Sequence, residues 1–356
     1  MGVQTILFTA PTPIDKIIQI GVMKIGFDEL KRRALTVIAF VVVVLLCPMP
    51  PVKGVSAEQL RVGFPRDISA APIYLADSQG FFKKRGVDVA MKEYEAGFIA
   101  VNDLVADKLD LATASEFVFV LQSFRDTDLR MLATVCMLSV IELVVREDRG
   151  IVRPQDLKGK RVAVPRGTAS EFFLFNYLVF NRIPAGTVEI IYHSPSEIVE
   201  AIVRGTVDAA ICWPPYTTEM GKRLGAKVAR WPAQSGQDYY FTLVVKERFL
   251  KNQPKMMERF LAALSDADGF IAKYPDQAQA ILRNKLKLDV ESFLATWSRA
   301  RFQLQLTQDL LVLMEREAKW AIRNKLVGKK EVPNYLDFFY FKALEKVKPE
   351  AVSIVH

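Results

Sequence analysis

The hydrophobic pattern divides the chain into three stretches. In the first, an apolar run at residues 34–46 follows Lys31-Arg32-Arg33 and is stopped by Pro48, Pro50 and Pro51, after which Val55-Ser56-Ala57 supplies small residues. Basic, apolar and small-residue segments in that order form an export signal. The run has thirteen residues, fewer than the ~20 that a membrane-spanning helix needs. Residues 1–57 are therefore expected to be a cleaved signal peptide, with Glu58 as the mature N-terminus and a periplasmic or other extracytoplasmic location. Translation from Met23 would give a more ordinary basic segment. A lipoprotein anchor at Cys47 ranks second, because Leu46 stands where such signals carry a small residue; a retained apolar anchor ranks third.

The second stretch repeats itself at a spacing near 100 residues. Arg61-Val62-Gly63-Phe64-Pro65-Arg66 returns as Arg161-Val162-Ala163-Val164-Pro165-Arg166. Each strand-like run leads into a helical stretch, 71–84 and 170–180. Second strands follow at 87–89 and 188–190, helices at 100–107 and 197–204, and third strands at 109–112 and 207–210. Strand–helix–strand–helix–strand order implies parallel strands joined by right-handed crossovers. Its recurrence predicts two similar α/β lobes.

From Pro254 the period changes. Met257, Phe260, Leu261 and Leu264 have helical spacing, as do Leu310, Leu313, Met314, Ala318 and Ile322. This third stretch reads as a largely helical segment packed on the first lobe. Apolar runs at 141–145 and 241–245 carry the chain between lobes. The expected organisation is a first lobe begun by 58–144, a second lobe at 145–240, and 241–356 completing the first.

Composition narrows the functional classes. The chain has 356 residues, 51% hydrophobic and 25% charged, which suits a globular protein of two cores. Residues 1–57 carry +3 of the formal +8 charge, and the remainder is spread without a dense basic run interleaved with aromatics. Nucleic-acid binding has no footprint here. Cys136 and Cys212 form no CxxC pair, and the histidines are His193 and His356, so no metal site or cofactor is expected. Buried free thiols are the ordinary state for two such cysteines, with a single disulfide between them as the alternative. No GxSxG, HExxH, GxGxxG or phosphate-loop motif is present.

In open parallel sheets, ligands bind beyond the carboxyl ends of the strands. Four junctions qualify: residues 65–70, 113–116, 166–170 and 212–216. In the third, Gly167 allows close backbone approach, Thr168 and Ser170 offer hydroxyls, and a helix N-terminus attracts an anion. The same two hydroxyls equally suit helix capping. Arg66 and Arg166 occupy equivalent places, either clamping one anion from opposite sides or standing solvated at the rim. Glu116 either meets a cationic group or favours the helix dipole. Trp213, ending a strand, and Tyr239 would wall a ligand.

These features, taken in order, resemble a known family. Arg61-Val62-Gly63-Phe64, Ala71-Pro72-Ile73-Tyr74-Leu75-Ala76, Gly80-Phe81-Phe82, residues 157–165, Gly205-Thr206-Val207-Asp208-Ala209-Ala210 and Tyr274-Pro275-Asp276-Gln277-Ala278 resemble the nitrate/sulfonate/taurine substrate-binding proteins, which also include binders of the thiamine pyrimidine precursor. The resemblance implies a two-lobed type II periplasmic binding protein fold with a helical C-terminal segment, closing over a small molecule. It also implies delivery to an ABC-transporter permease, by a protein expected to be a monomer and not an enzyme. Its ligand-facing positions correspond to Ser69, Ser115, Thr168, Ser170 and Trp213. Members often carry an acid after the tryptophan; here Pro214 stands there, so that contact is absent. A small organic anion such as a sulfonate is the expected ligand. The alternatives are a pyrimidine-precursor synthase, disfavoured by two histidines and an export signal, and a sensor module serving a separate membrane partner.

Overall fold

Short runs of β-branched and aliphatic residues alternate with helices along residues 59–356, which the computed structural model describes together with Arg32. The chain divides into two units, 1–56 and 57–356, and the second is the subject here. The expected cleavage site and Cys47 lie outside the described residues.

The first repeat comprises β1 (Leu60–Pro65), α1 (Ala71–Ser78), α2 (Phe81–Lys84), β2 (Val89–Tyr94), α3 (Gly97–Val105), β3 (Leu111–Ser115) and α4 (Glu116–Ser123). β4 (Leu129–Leu138) and β5 (Glu142–Arg146) then carry the chain to the second repeat. That repeat comprises β6 (Arg161–Val164), α5 (Ala169–Phe180), β7 (Glu189–Tyr192), α6 (Pro195–Arg204), β8 (Ala209–Cys212), α7 (Tyr216–Leu224) and β9 (Val228–Pro232). β10 (Tyr239–Lys246) returns, followed by α8 (Glu247–Asn252), α9 (Pro254–Lys273), α10 (Pro275–Leu286), α11 (Val290–Trp297), β11 (Ala300–Gln305), α12 (Gln308–Arg323) and α13 (Phe341–Val347).

A six-stranded sheet has the order β11-β4-β10-β3-β1-β2 and a five-stranded sheet the order β7-β6-β8-β5-β9. Superposing the orders pairs β2 with β7, β1 with β6 and β3 with β8. Even the register agrees: Val62 faces Leu111 and Gly63 faces Ala112, while Val162 faces Ala209 and Ala163 faces Ala210. In each sheet the fourth strand is antiparallel and belongs to a run that changes sheets, β10 in the first and β5 in the second.

Element boundaries differ from expectation for local reasons. The stretch at 71–84 is two helices because Gly80 sits at φ +68°, where the chain leaves helical geometry at little cost. α6 starts at Pro195 because Ser194 and Glu197 form a reciprocal capping box. α3 starts at Gly97, where a side chain would strike the Thr113–Ala114 backbone of β3 at 2.7–2.8 Å, so glycine is what lets this helix lie on the sheet. The C-terminal segment is not helical throughout: β11 pairs with β4 and extends the first sheet.

One buried cluster runs through the first lobe, the C-terminal helices and the facing side of the second lobe. A smaller one, including Val144, Ile198, Ile202, Ala210 and Met220, fills the opposite side of the second sheet beneath α6 and α7. Cys136 and Cys212 are buried and unpaired. Among the described residues, no helix is long and apolar enough to cross a membrane, and no cluster of His, Cys, Asp and Glu is arranged to hold a metal ion.

Candidate functional site

The carboxyl ends of both sets of parallel strands open on one cavity at the seam between the lobes. Its mouth and interior together hold about 400 Å³ of space unfilled by atoms, but the enclosed cavity is only about 30 Å³, so the lobes stand nearly closed on it. The first lobe contributes Pro65 at the end of β1 and Asp67 just after it, Ala96 and Gly97 at the start of α3, Phe98 within it, and Ser115 at the end of β3. The second lobe contributes Thr168 and Ala169 at the start of α5, and Trp213 after β8. Val118, Ile141, Tyr239 and Phe241 complete the wall.

Two helix starts face this space without a side-chain cap. Ala96 precedes α3 and has no side-chain acceptor to offer. Thr168 precedes α5, but its hydroxyl donates to the Pro165 carbonyl at 2.8 Å and does not cap the helix. Both first turns leave backbone N–H groups seeking acceptors, the setting in which an anion is stabilised. α4 also begins here, yet the Glu116 carboxylate lies against the N–H groups of its own first turn and offsets their charge.

Aromatic packing closes the rest. Tyr239 meets Phe173 and Phe241 edge-on, and Trp213 meets Tyr216 in the same way. Behind the cavity, Phe117 of α4 stacks on Phe172 of α5 at 5.7 Å, and both rings pack edge-on against Trp320 of α12. The lobes also meet through a hydrogen bond, the Ser196 N–H donating to Glu95 at 2.9 Å.

The wall holds one carboxylate, Asp67, and no Lys, Arg or His. Asp67 accepts from the Ser69 backbone N–H at 2.8 Å and from the Ser69 hydroxyl, both on the same carboxylate oxygen. Burial pushes its pKa up, against the opposing effect of those hydrogen bonds.

The predicted residues separate into three groups. Ser115, Thr168, Trp213 and Tyr239 line the cavity. Ser69, Glu116 and Ser170 are buried but do not line it. Ser69 positions Asp67; Glu116 accepts from the Tyr240 N–H at 3.0 Å and is not placed to meet a cation in the cavity; the Ser170 hydroxyl has no hydrogen-bond partner. Arg66, Arg166 and Gly167 lie outside. Arg66 borders a depression with Glu93 and Glu95, whereas Arg166 and Gly167 border another with Glu171, so the two arginines form no clamp around the cavity. The Gly167 N–H is taken by Glu171 Oε2 at 2.7 Å and is not directed at a ligand. Sequence reasoning placed Asp67 within the 65–70 junction without giving it a role, and missed the β2–α3 junction, where Ala96-Gly97 ahead of a helix was the available signal.

Fold and cavity together define a two-lobed α/β binding protein of the periplasmic type. The chain belongs to the NMT1/THI5 like family, whose profile matches residues 67–278. It is 26% identical over 224 residues to the taurine-binding periplasmic protein of Escherichia coli (strain K12), covering 62% of this chain and 69% of that protein. The alkanesulfonate-binding protein SsuA from Xanthomonas axonopodis pv. citri, solved bound to MOPS, superposes with a TM-score of 0.68 at 18% identity, over 80% of this chain and 98% of that one. The desulfurization enzyme DSZB shares the fold as well, with a TM-score of 0.63 at 15% identity over 82% and 99% of the two chains.

Proposed function

We propose that this protein is an extracytoplasmic solute-binding protein that holds a small organic anion, such as a sulfonate, between its lobes and delivers it to the permease of an ABC importer. The observation that carries this reading is the pair of uncapped helix starts, α3 from the first lobe and α5 from the second, that line one cavity. An anion seated there would satisfy N–H groups of both lobes, so binding would stabilise the closed arrangement over the open one. Aromatic side chains supply walls for the organic part. The permease would then read closure, with the protein acting as a monomer.

A binding role is preferred to catalysis because the cavity wall presents no nucleophile set beside a base. The nearest thiols, Cys136 and Cys212, are buried, and burial pushes both pKa values well up, away from the reactive thiolate. The DSZB likeness bears on fold alone.

Thermal unfolding of residues 58–356 with a panel of sulfonates, carboxylates, inorganic oxyanions and pyrimidines tests the reading. A ligand present at ~100 times its Kd adds about 2.7 kcal/mol of stability. A selective rise in midpoint with the sulfonates is expected. A rise with pyrimidines alone would replace the anion with a heterocycle, and turnover of any panel member would restore the enzyme reading.

A further inference from the structure

The depression bordered by Arg166 adjoins the cavity: Phe98 and Val118 line both. Arg125, just beyond α4 in the first lobe, faces the same depression, as do Asn102 and Gln122. We propose that this depression is a second anion subsite, taking the far acidic group of a ligand whose first anionic group occupies the cavity. The ligand class is then a doubly anionic organic acid, with a few methylenes crossing the Phe98–Val118 saddle. This inference rests on the anion reading of the cavity.

Three observations support it. First, neither Arg125 nor Arg166 forms an ion pair with a carboxylate among the described residues, whereas Arg61, Arg85, Arg130, Arg146 and Arg161 each do. Second, the one acid in the wall, Glu171, has both oxygens engaged. It accepts from the Gly167 N–H at 2.7 Å and from the Tyr192 hydroxyl at 2.8 Å. The Arg166 guanidinium lies over the Tyr192 ring, 5.1 Å from its centre, so the ring that ties up the acid also orients the cation. Third, Gln122 donates its amide to Asn102 Oδ1 at 3.1 Å, so the Asn102 N–H₂ remains a further donor among the lining groups. With two cations against one acid, the lining is net positive. The depression at Arg66 is the opposite case. There Glu93 pairs with Arg66 at 3.5 Å and Glu95 adds a second acid, so the equivalent arginine of the other half has no comparable role.

The subsite also spans both lobes, since Arg125 belongs to the first and Arg166 to the second. A ligand bridging them would reinforce closure.

Calorimetric titration of the protein with propanesulfonate and with terminal propanedisulfonate tests the inference, in wild type and in the Arg125→Gln, Arg166→Gln double variant. The expected result is a disulfonate preference of about tenfold at low salt, the size of one charge-assisted hydrogen bond. It should shrink as salt rises and fall to about one in the double variant, with circular dichroism showing the variant folded. Lysine in place of each arginine should keep part of the preference. If both ligands bind wild type with equal affinity, or the preference survives the double variant, the subsite is wrong and the cavity reading stands. If neither ligand binds wild type, both readings fall together.

Discussion

The two halves of the repeat agree at the bottom of their strands and differ at the top. At the base of β1, Asp110 accepts from the Arg61 backbone N–H at 2.8 Å and from its guanidinium at 3.0 and 2.6 Å. At the base of β6, Asp208 does the same for Arg161, at 3.0, 3.1 and 2.8 Å. Each aspartate returns its own N–H to the arginine carbonyl at 2.9 Å. One device thus ties the first strand to the loop before the third in both halves. Beyond the shared Pro-Arg, the halves part. Asp67 in the first half is replaced by Gly167 in the second, and Ser69 by Ala169. The first half places a carboxyl in the cavity wall; the second presents an uncapped helix start, its only nearby acid, Glu171, buried and engaged by Gly167 and Tyr192 beside the neighbouring depression. The bases are scaffold held in common, and the residues that differ at the tops include two that line the cavity, Asp67 and Ala169.

Asp110→Ala and Asp208→Ala each orphan a strand N–H and leave an arginine without its forked partner. Each should cost about 1–2 kcal/mol, mostly for the orphaned strand N–H, because the half-exposed arginines regain water. Chemical denaturation would check this. Similar losses would make the two devices equivalent in energy as in geometry; a negligible loss at Asp110, where the Arg61 side chain is the more exposed of the two arginines, would show that the first half relies on its larger core instead.

A second difference lies behind the cavity. Where the second half has Trp213, Pro214 and Pro215 after its third strand, the first half has Glu116, buried beside Glu317 of α12. Glu116 Oε1 and both Glu317 oxygens lack hydrogen-bond partners. Burial pushes both carboxyl pKa values up, and their mutual repulsion adds to this at Glu317, opposed weakly by Arg316. Because the folded state holds protons that the unfolded chain releases, this pair leaves stability intact below the ordinary carboxylate range and reduces it as pH rises through neutrality. Glu317→Gln should therefore raise stability by roughly 1–2 kcal/mol at pH 8 and by much less at pH 4. Unfolding midpoints across that range would check it, and a constant offset at both ends would assign the gain to packing.

Much of this was legible before the structure. Strand starts at Arg61 and Arg161 stood out because a short apolar run closed by Pro-Arg occurs twice, and the helical periods around Phe260 and Leu313 follow from burial on one face. β4 and β11 were not legible: their strand character comes from pairing with β10 and with each other, which local pattern does not encode. The site was half legible. Ser115, Thr168 and Trp213 sit where parallel strands end, so topology alone locates them. Arg66 and Arg166 are equivalent in sequence, yet β2 gives Arg66 the acidic neighbour Glu93, while Arg166 lies over the Tyr192 ring and shares a depression with Arg125. What each arginine faces depends on residues far along the chain. The burial of Glu116 was not legible, because nothing local showed that α12 would cover this first-turn acid.

Asp67 is the side chain whose counterpart in the second half is Gly167. A plain anion in the cavity would meet a carboxyl that repels it when ionised and can donate to it when protonated. Burial raises the Asp67 pKa, so the protonated form persists above the ordinary aspartate range. Affinity for propanesulfonate should be full at low pH and fall as pH rises through the raised Asp67 pKa, by up to about tenfold per unit while one proton is linked to binding. Asp67→Asn keeps the shape and removes the charge, so it should flatten the profile and raise affinity at pH 8 several-fold. A ligand carrying an amine beside its anionic group would reverse the slope, because the ionised carboxyl would then be the better partner. Titrations of wild type and variant at several pH values separate these cases. A flat wild-type profile for both kinds of ligand would show that the oxygen already accepting from Ser69 is the only one that matters, leaving Asp67 as a cap for the turn it begins and the choice of ligand to the second lobe.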